Sequence, residues 1–230
     1  MHGLKNVPEN QHTPTEPSLI SAFLSTAWHI IHSVGWSLVD NGINALLKAT
    51  TSLAPPTSKR PPWEPFTIHT ILLICNQLDL SLPLHAAVFA CLTTTFYATV
   101  RVGEFMVPTL HSFNPTIHIK HTNISVQHNR QDLKVYNFHL PCTKSAPLGE
   151  DMSWAKQNGP SDPLSALRNH LAVNDPPPNT ALFAYWHNNG YRPLTRKKFL
   201  LALANAATQA GMKPLQGHGI RIGSTLEYLL

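Results

Sequence analysis

The spacing of apolar residues divides the chain into helical and extended stretches. Met1 to Pro17 is polar and proline-bearing and is read as a disordered tail. From Ser18 the apolar positions Leu19, Phe23, Ala27, Ile30, Ile31 and Val34 recur at helical spacing until Gly35. Asp40 can cap a second short helix through Ile43, Leu46 and Leu47. Two short helices bury little area, so residues 18–50 are expected to have little stability of their own. Residues 51–65 carry five prolines, which predicts an extended, semi-rigid linker.

A larger domain, residues 66–230, follows, with Thr67 as the N-cap of its first helix. Ile68, Ile71, Leu72, Cys75 and Leu78 make one helical stripe. Leu84 to about Thr99 is apolar on nearly every side, which predicts a helix in the centre of a core. From Thr116 the period changes from about 3.6 to 2. Ile117, Ile119, His121, Ile124 and Val126 predict one or two short strands, and Leu133 to Leu140 alternates cleanly as another. Asn129 to Asp132 is the intervening turn, and Pro141 to Glu150 carries Lys144 past the strand end. A helix is predicted over Asp162 to Val173, a break at Asp175 to Pro178, and a short apolar segment at Leu182 to Tyr185. Another helix starts at Leu194-Thr-Arg and runs to about Ala210, where Gly211 caps it. The last helix holds His218 and Arg221 and runs to Leu230. The expected fold is mostly α within the α+β class: helices bracketing a small antiparallel sheet, after a short helical N-terminal segment.

Composition narrows the function. A chain of 230 residues with 43% hydrophobic and 13% charged residues is that of a folded globular protein. Its net charge of +5 and sequence pI near 9.2 suit a polyanionic partner. Cys75, Cys91 and Cys142 are an odd, widely spaced set and read as reduced thiols. Fourteen histidines invite a metal, but they are scattered, and only His118 with His121, or His29 with His32, could share a face. No metal site is therefore expected. There is no basic region leading into an apolar core at the amino terminus. No run reaches the ~18 apolar residues of a spanning helix, so a soluble nuclear or cytoplasmic protein is expected.

The chemistry-bearing residues stand at the ends of separate elements. Arg101, in Arg-Val-Gly-Glu, follows the most apolar helix, where an unpaired charge is costly. It either pairs with Glu104 or meets a phosphate. Lys144 follows a strand, and a lysine in a turn is ordinarily just solvated. His218 and Arg221 stand three apart, on one helical face. An imidazole moves protons and a guanidinium grips two oxygens, a pairing suited to phosphoryl chemistry. The plainer alternatives are a core histidine at His218 and an Arg221 pair with Glu227. Lys59, Arg60, Arg196, Lys197 and Lys198 are candidate contacts to a DNA backbone, the last two otherwise a solvated helix face.

This ordered set resembles the catalytic domain of tyrosine recombinases, the site-specific DNA recombinases and integrases. Arg-Val-Gly-Glu at Arg101 resembles the first arginine box, Thr143-Lys-Ser the lysine on a β-hairpin, and His218-Gly-Ile-Arg the second box. The wording of Leu140-Pro-Cys-Thr-Lys-Ser and Tyr191-Arg-Pro-Leu-Thr-Arg looks most like recombinases of eukaryotic mobile elements. The resemblance implies double-stranded DNA as partner. It implies that Arg101 and Arg221 hold the scissile phosphate, that Lys144 protonates the departing 5′ oxygen, and that His218 assists at the nucleophile. A tyrosine hydroxyl attacks in the family and leaves a 3′-phosphotyrosine, so the resemblance implies that no metal or nucleotide cofactor is needed.

The departures from the family are as informative. The family has a further His or Trp box and then the tyrosine, whereas only Tyr228 follows Arg221 here. It is expected to pack with Leu226 and Leu229 against the core. Tyr97, Tyr136, Tyr185 and Tyr191 fall in expected core or strand positions. Residues 18–50 allow two helices of the four or five of the family's first domain. The chain thus resembles a domain shortened at both ends: a DNA-binding derivative of a recombinase, inactive alone and monomeric without an exchange helix. The alternative is a non-catalytic DNA-binding remnant or a helical interaction protein.

Overall fold

The computed structural model describes residues 48–50, 52–53, 64–128, 130–213 and 215–229. The expected helices from Ser18 and Asp40, and Lys59 and Arg60 of the linker, lie outside these residues. The chain divides into two units, Met1–Pro62 and Trp63–Leu230. In the first, residues 48–50 and 52–53 are helical. The second holds the folded body and is mostly α, with a small antiparallel sheet.

Helix α1 (Ile68–Cys75) starts where the Thr67 hydroxyl accepts the Thr70 N–H at 3.1 Å. Its Ile71 and Ile74 are fully buried, with Ile68, Cys75 and Leu78 partly so. Helix α2 (Pro83–Tyr97) begins at a proline, whose missing N–H costs nothing in the first turn. Every residue from Ala86 to Tyr97 is buried, as its all-round apolar sequence predicts. It ends two residues earlier than the apolar run suggests, because Thr99 adopts φ +54° and turns the chain out of the helix.

Strands β1 (Ile124–His128), β2 (Lys134–Leu140) and β3 (Glu150–Ala155) form an antiparallel sheet in that order. Val126 faces Tyr136 across β1–β2, and Tyr136 faces Trp154 across β2–β3. Ile117, Ile119 and His121 are not in strands. The Asn114 carboxamide accepts from the Thr116 N–H (2.9 Å) and hydroxyl (2.8 Å), which bends this stretch into turns. His121 lies in a 3₁₀ turn, His121–Asn123. Strand β3 has no counterpart among the predicted elements. It alternates Met152 and Trp154 inward against Asp151 and Ser153, and Trp154 stacks on Tyr136 at 4.8 Å.

Helix α3 (Pro163–Asn174) is capped by the buried Asp162, whose carboxylate accepts the Leu164 and Ser165 N–H groups. Leu182 and Phe183 are fully buried and lead into a hairpin of β4 (Tyr185–His187) and β5 (Gly190–Arg192). Its turn, Asn188-Asn189, has φ +46° and +63°, the left-handed pair that a two-residue hairpin requires and asparagine tolerates. Helix α4 (Arg196–Gln209) is capped by Thr195, and α5 (Gly217–Leu229) is the last element. Helix α2 touches α3, α4, α5, β3 and β4, so the other elements are arranged around it. Among the described residues no helix is long and apolar enough to cross a membrane.

One buried group makes this packing sensitive to acid. His170 is fully buried; its Nε2 donates to the Leu182 carbonyl at 3.0 Å, and its Nδ1 accepts from the Asn174 amide at 2.9 Å. Burial pushes its pKa down from 6.5 to about 4. The unfolded chain therefore binds a proton that the folded chain refuses between those two values. Stability should be full above pH 6.5 and fall as pH drops toward 4, by at most about 1.4 kcal/mol per pH unit. Urea titrations across that range check it, and His170→Asn should flatten the dependence.

Candidate functional site

The site is set by what the end of α2 requires. A buried helix end leaves carbonyls without intrahelical partners. Here α5 supplies hydroxyls. Ser224 donates to the Phe96 carbonyl, and Tyr228 donates to the Tyr97 carbonyl at 2.8 Å. The Thr99 hydroxyl donates to Ser224 at 2.8 Å, since the one Ser224 proton is already used. That bond holds Thr99 in its left-handed conformation, which sends Val100 into the core and Arg101 outward.

Helix α5 also comes unusually close to the chain before α1. The Phe66 N–H donates to the Gly219 carbonyl at 3.0 Å. A Cβ on Gly219 would overlap the Glu64 carbonyl oxygen, and one on Gly223 the Phe66 carbonyl oxygen. Glycines four apart on one face thus let backbone meet backbone. The outcome is that His218 and Arg221 stand beside the point where Arg101 leaves α2.

Lys144 sits in the loop joining β2 to β3. That loop closes through Gly149 (φ +94°), where any Cβ would lie 2.9 Å from the Leu140 carbonyl oxygen. Arg196 opens α4, held by the parallel bridge between Val107 and Thr195 and by its own N–H to the Val107 carbonyl (3.3 Å).

These groups line one cleft of about 700 Å³: Arg101, Lys144, Arg196, His218 and Arg221, with Glu104 as the one carboxylate. Four cations against one anion leave +3 with the histidines neutral. Both α4 and α5 begin at this cleft, so the positive ends of two helices of 14 and 13 residues add to the field. Arg101 Nη1 is shared between Glu104 Oε1 and Ser145 Oγ, each at 3.1 Å. Among the described residues Lys144, Arg196 and Arg221 enter no ion pair, so Arg221 is not held by Glu227. His218 is exposed, not a core histidine. An arrangement of this kind binds an anion with several oxygens and neutralises charge that develops on it.

The remaining expected residues lie elsewhere. Lys197 and Lys198 are exposed on the first turn of α4 and do not line the cleft. Tyr228 does not line it either. Its side chain, with those of Leu226 and Leu229, is exposed (57%, 43% and 75%) instead of packed into the core. The phenol is committed to the Tyr97 carbonyl, and burial of its oxygen, with Tyr97 and Glu227 nearby, raises its pKa.

Sequence reading did not find three contributors. His118 and Cys142 line the cleft, and Glu150 accepts hydrogen bonds from the loop beneath it. His118 falls within the stretch whose alternation predicts a strand, and its Nδ1 accepts the Asn114 N–H at 3.0 Å. Glu150 opens the strand that the sequence pattern does not reveal. No group of three or more His, Cys, Asp or Glu that could hold a metal occurs among the described residues.

No protein-family model matches the chain, and no curated protein matches its sequence. Among solved structures it aligns with an FLP recombinase–Holliday junction complex at 13% identity and TM-score 0.47, over 94% of this chain and 50% of that one. It aligns with a Flpe–Holliday junction complex at 14% identity and TM-score 0.48, over 97% and 51%. The chain therefore spans about half the length of these two, 50% and 51%.

The glycine contact gives a direct test. Gly223→Ala puts a methyl into the Phe66 carbonyl, which is backbone and cannot rotate away. Overpacking of this kind should cost about 1–3 kcal/mol or more, read by thermal or urea unfolding. Gly103→Ala meets nothing within 4 Å and is the matched control.

Proposed function

We propose that this chain is a DNA-binding protein derived from a tyrosine recombinase, and that its cleft holds a phosphate of the DNA backbone. The observation that carries the reading is the convergence of Arg101, Lys144, His218 and Arg221 on one cleft. They come from the end of α2, the β2–β3 loop and α5, and their sequence boxes are those that resemble the family. Chance motifs would have no reason to meet in space.

In this reading residues 66–230 are the catalytic-type domain. Arg101 and Arg221 hold the non-bridging oxygens of the phosphate, Lys144 faces the 5′ oxygen, and His218 faces the oxygen opposite. Arg196 extends the positive surface along the strand. No tyrosine lines the cleft, and the Tyr228 hydroxyl is occupied at the end of α2. The function is therefore phosphate capture on duplex DNA, without strand cleavage by this chain alone. A helical interaction protein is the weaker reading, since it gives no account of three uncompensated cations in a cleft.

Duplex binding followed by fluorescence anisotropy across a salt series tests this. Arg101→Ala and Arg221→Ala should each weaken binding roughly tenfold or more and lower the slope of log affinity against log salt by about 0.9 per lost phosphate contact. Affinity indifferent to both substitutions would remove the shared phosphate pocket. On a nicked suicide duplex the wild-type chain should form no covalent adduct. An adduct lost in Tyr228→Phe would show that α5 can release its phenol and cleave.

A further inference from the structure

The loop that presents Lys144 is built on a residue to which the function above gives no role. Glu150, the first residue of β3, does not line the cleft. Its carboxylate lies behind the loop and gathers two hydroxyls from it. Thr143 Oγ1 donates to Glu150 Oε1, and Ser145 Oγ donates to the same oxygen at 3.4 Å. Thr143 is 5% exposed, and its Oγ1 also accepts the Ala146 N–H at 3.0 Å. The Thr143 N–H and the Gly149 N–H both donate to the Ala146 carbonyl at 3.0 Å, which closes the turn around Lys144.

The chain of contacts continues into the cleft. Ser145 Oγ, which donates to Glu150, accepts from Arg101 Nη1 at 3.1 Å. A guanidinium and a carboxylate thus sit at the two ends of a hydroxyl, each strengthening the bond at the other end. Lys144 is the residue between the two hydroxyls that Glu150 holds. Glu104, by contrast, pairs with Arg101 directly and touches neither.

We propose that Glu150 is a positioning residue of the cleft. Through Thr143 it fixes the turn that aims Lys144, and through Ser145 it holds the Arg101 guanidinium, so that one carboxylate registers two cations from distant parts of the chain. This rests on the phosphate-binding reading of the site.

Two physical effects of Glu150 have opposite signs, which makes the proposal testable. A carboxylate within a Debye length of about 10 Å repels a bound phosphate, so removing its charge alone should tighten binding. Removing a positioning group should loosen it. The experiment measures the affinity of a short fluorescein-labelled duplex at fixed salt for the full chain. Glu150→Gln and the uncharged change Thr143→Val should each weaken binding roughly three- to tenfold. Thr143→Ser, which keeps the hydroxyl, should bind like the wild type. In a Lys144→Ala background the loss caused by Thr143→Val should shrink, because its target is gone. Thermal unfolding of each variant separates a local from a global change, and Thr143→Val is the variant expected to keep the fold.

Tighter binding by Glu150→Gln, with Thr143→Val unchanged, would overturn the proposal and leave phosphate binding intact. So would losses that are equal with and without Lys144. A wild-type chain that does not bind the duplex at all would overturn the DNA reading itself, and this inference with it.

Discussion

A helix without an exposed face must find partners for its backbone groups inside the protein, and α2 is such a helix. Thr93 turns its hydroxyl back on the Phe89 and Ala90 carbonyls at 3.1 and 3.2 Å, Thr95 meets the Cys91 thiol at 3.9 Å, and the Thr94 hydroxyl alone of the three has no hydrogen-bond partner. Its last carbonyls cannot be met that way. The Phe96 carbonyl accepts the Thr99 N–H at 3.1 Å and the Ser224 hydroxyl, and the Tyr97 carbonyl accepts the Tyr228 hydroxyl, which ties α5 to this end of the helix. An unpartnered buried carbonyl costs about 1–3 kcal/mol. The polar demand of a core helix thereby fixes the side chains that meet at the surface above it.

What meets there is a set of like charges. Four cations around one cleft repel each other, and among the described residues only Arg101 of the four has a carboxylate partner. Partial exposure and water hold the cost down. An anion with several acceptor oxygens removes it. The cleft is thus least comfortable empty, and this gives a phosphate its advantage over a neutral ligand of the same size.

Much of this was visible in the order of residues. The apolar stretch from Leu84 announces a core helix, and Pro83 and Thr67 mark helix starts through rules that act within one turn. The clean alternation of Leu133 to Leu140 announces β2. Strand β3 was hidden because six residues, four of them polar or small, carry too short a pattern beside prolines and glycines. The hairpin at Asn188 was hidden because a two-residue turn joins strands of only three residues each. At the site, Arg101, Lys144, His218 and Arg221 stand out because they are charged or titratable in familiar wording. Glu150 and His118 do not, because Glu150 acts through Ser145, which meets Arg101 from 44 positions away, and His118 stands in a stretch whose alternation suggests a strand while its contact to Asn114 belongs to a turn. Leu226 and Leu229 misled for a related reason: helical spacing tells which residues share a face, not whether anything covers it.

The hydroxyl of Tyr228 has a consequence for what this fold can become. It plugs the end of the helix from which Arg101 emerges, so the same oxygen cannot hold the scaffold and reach into the cleft at once. Turning it toward the cleft would strip the Tyr97 carbonyl of its cover and loosen the seat of α5, and with it Arg221.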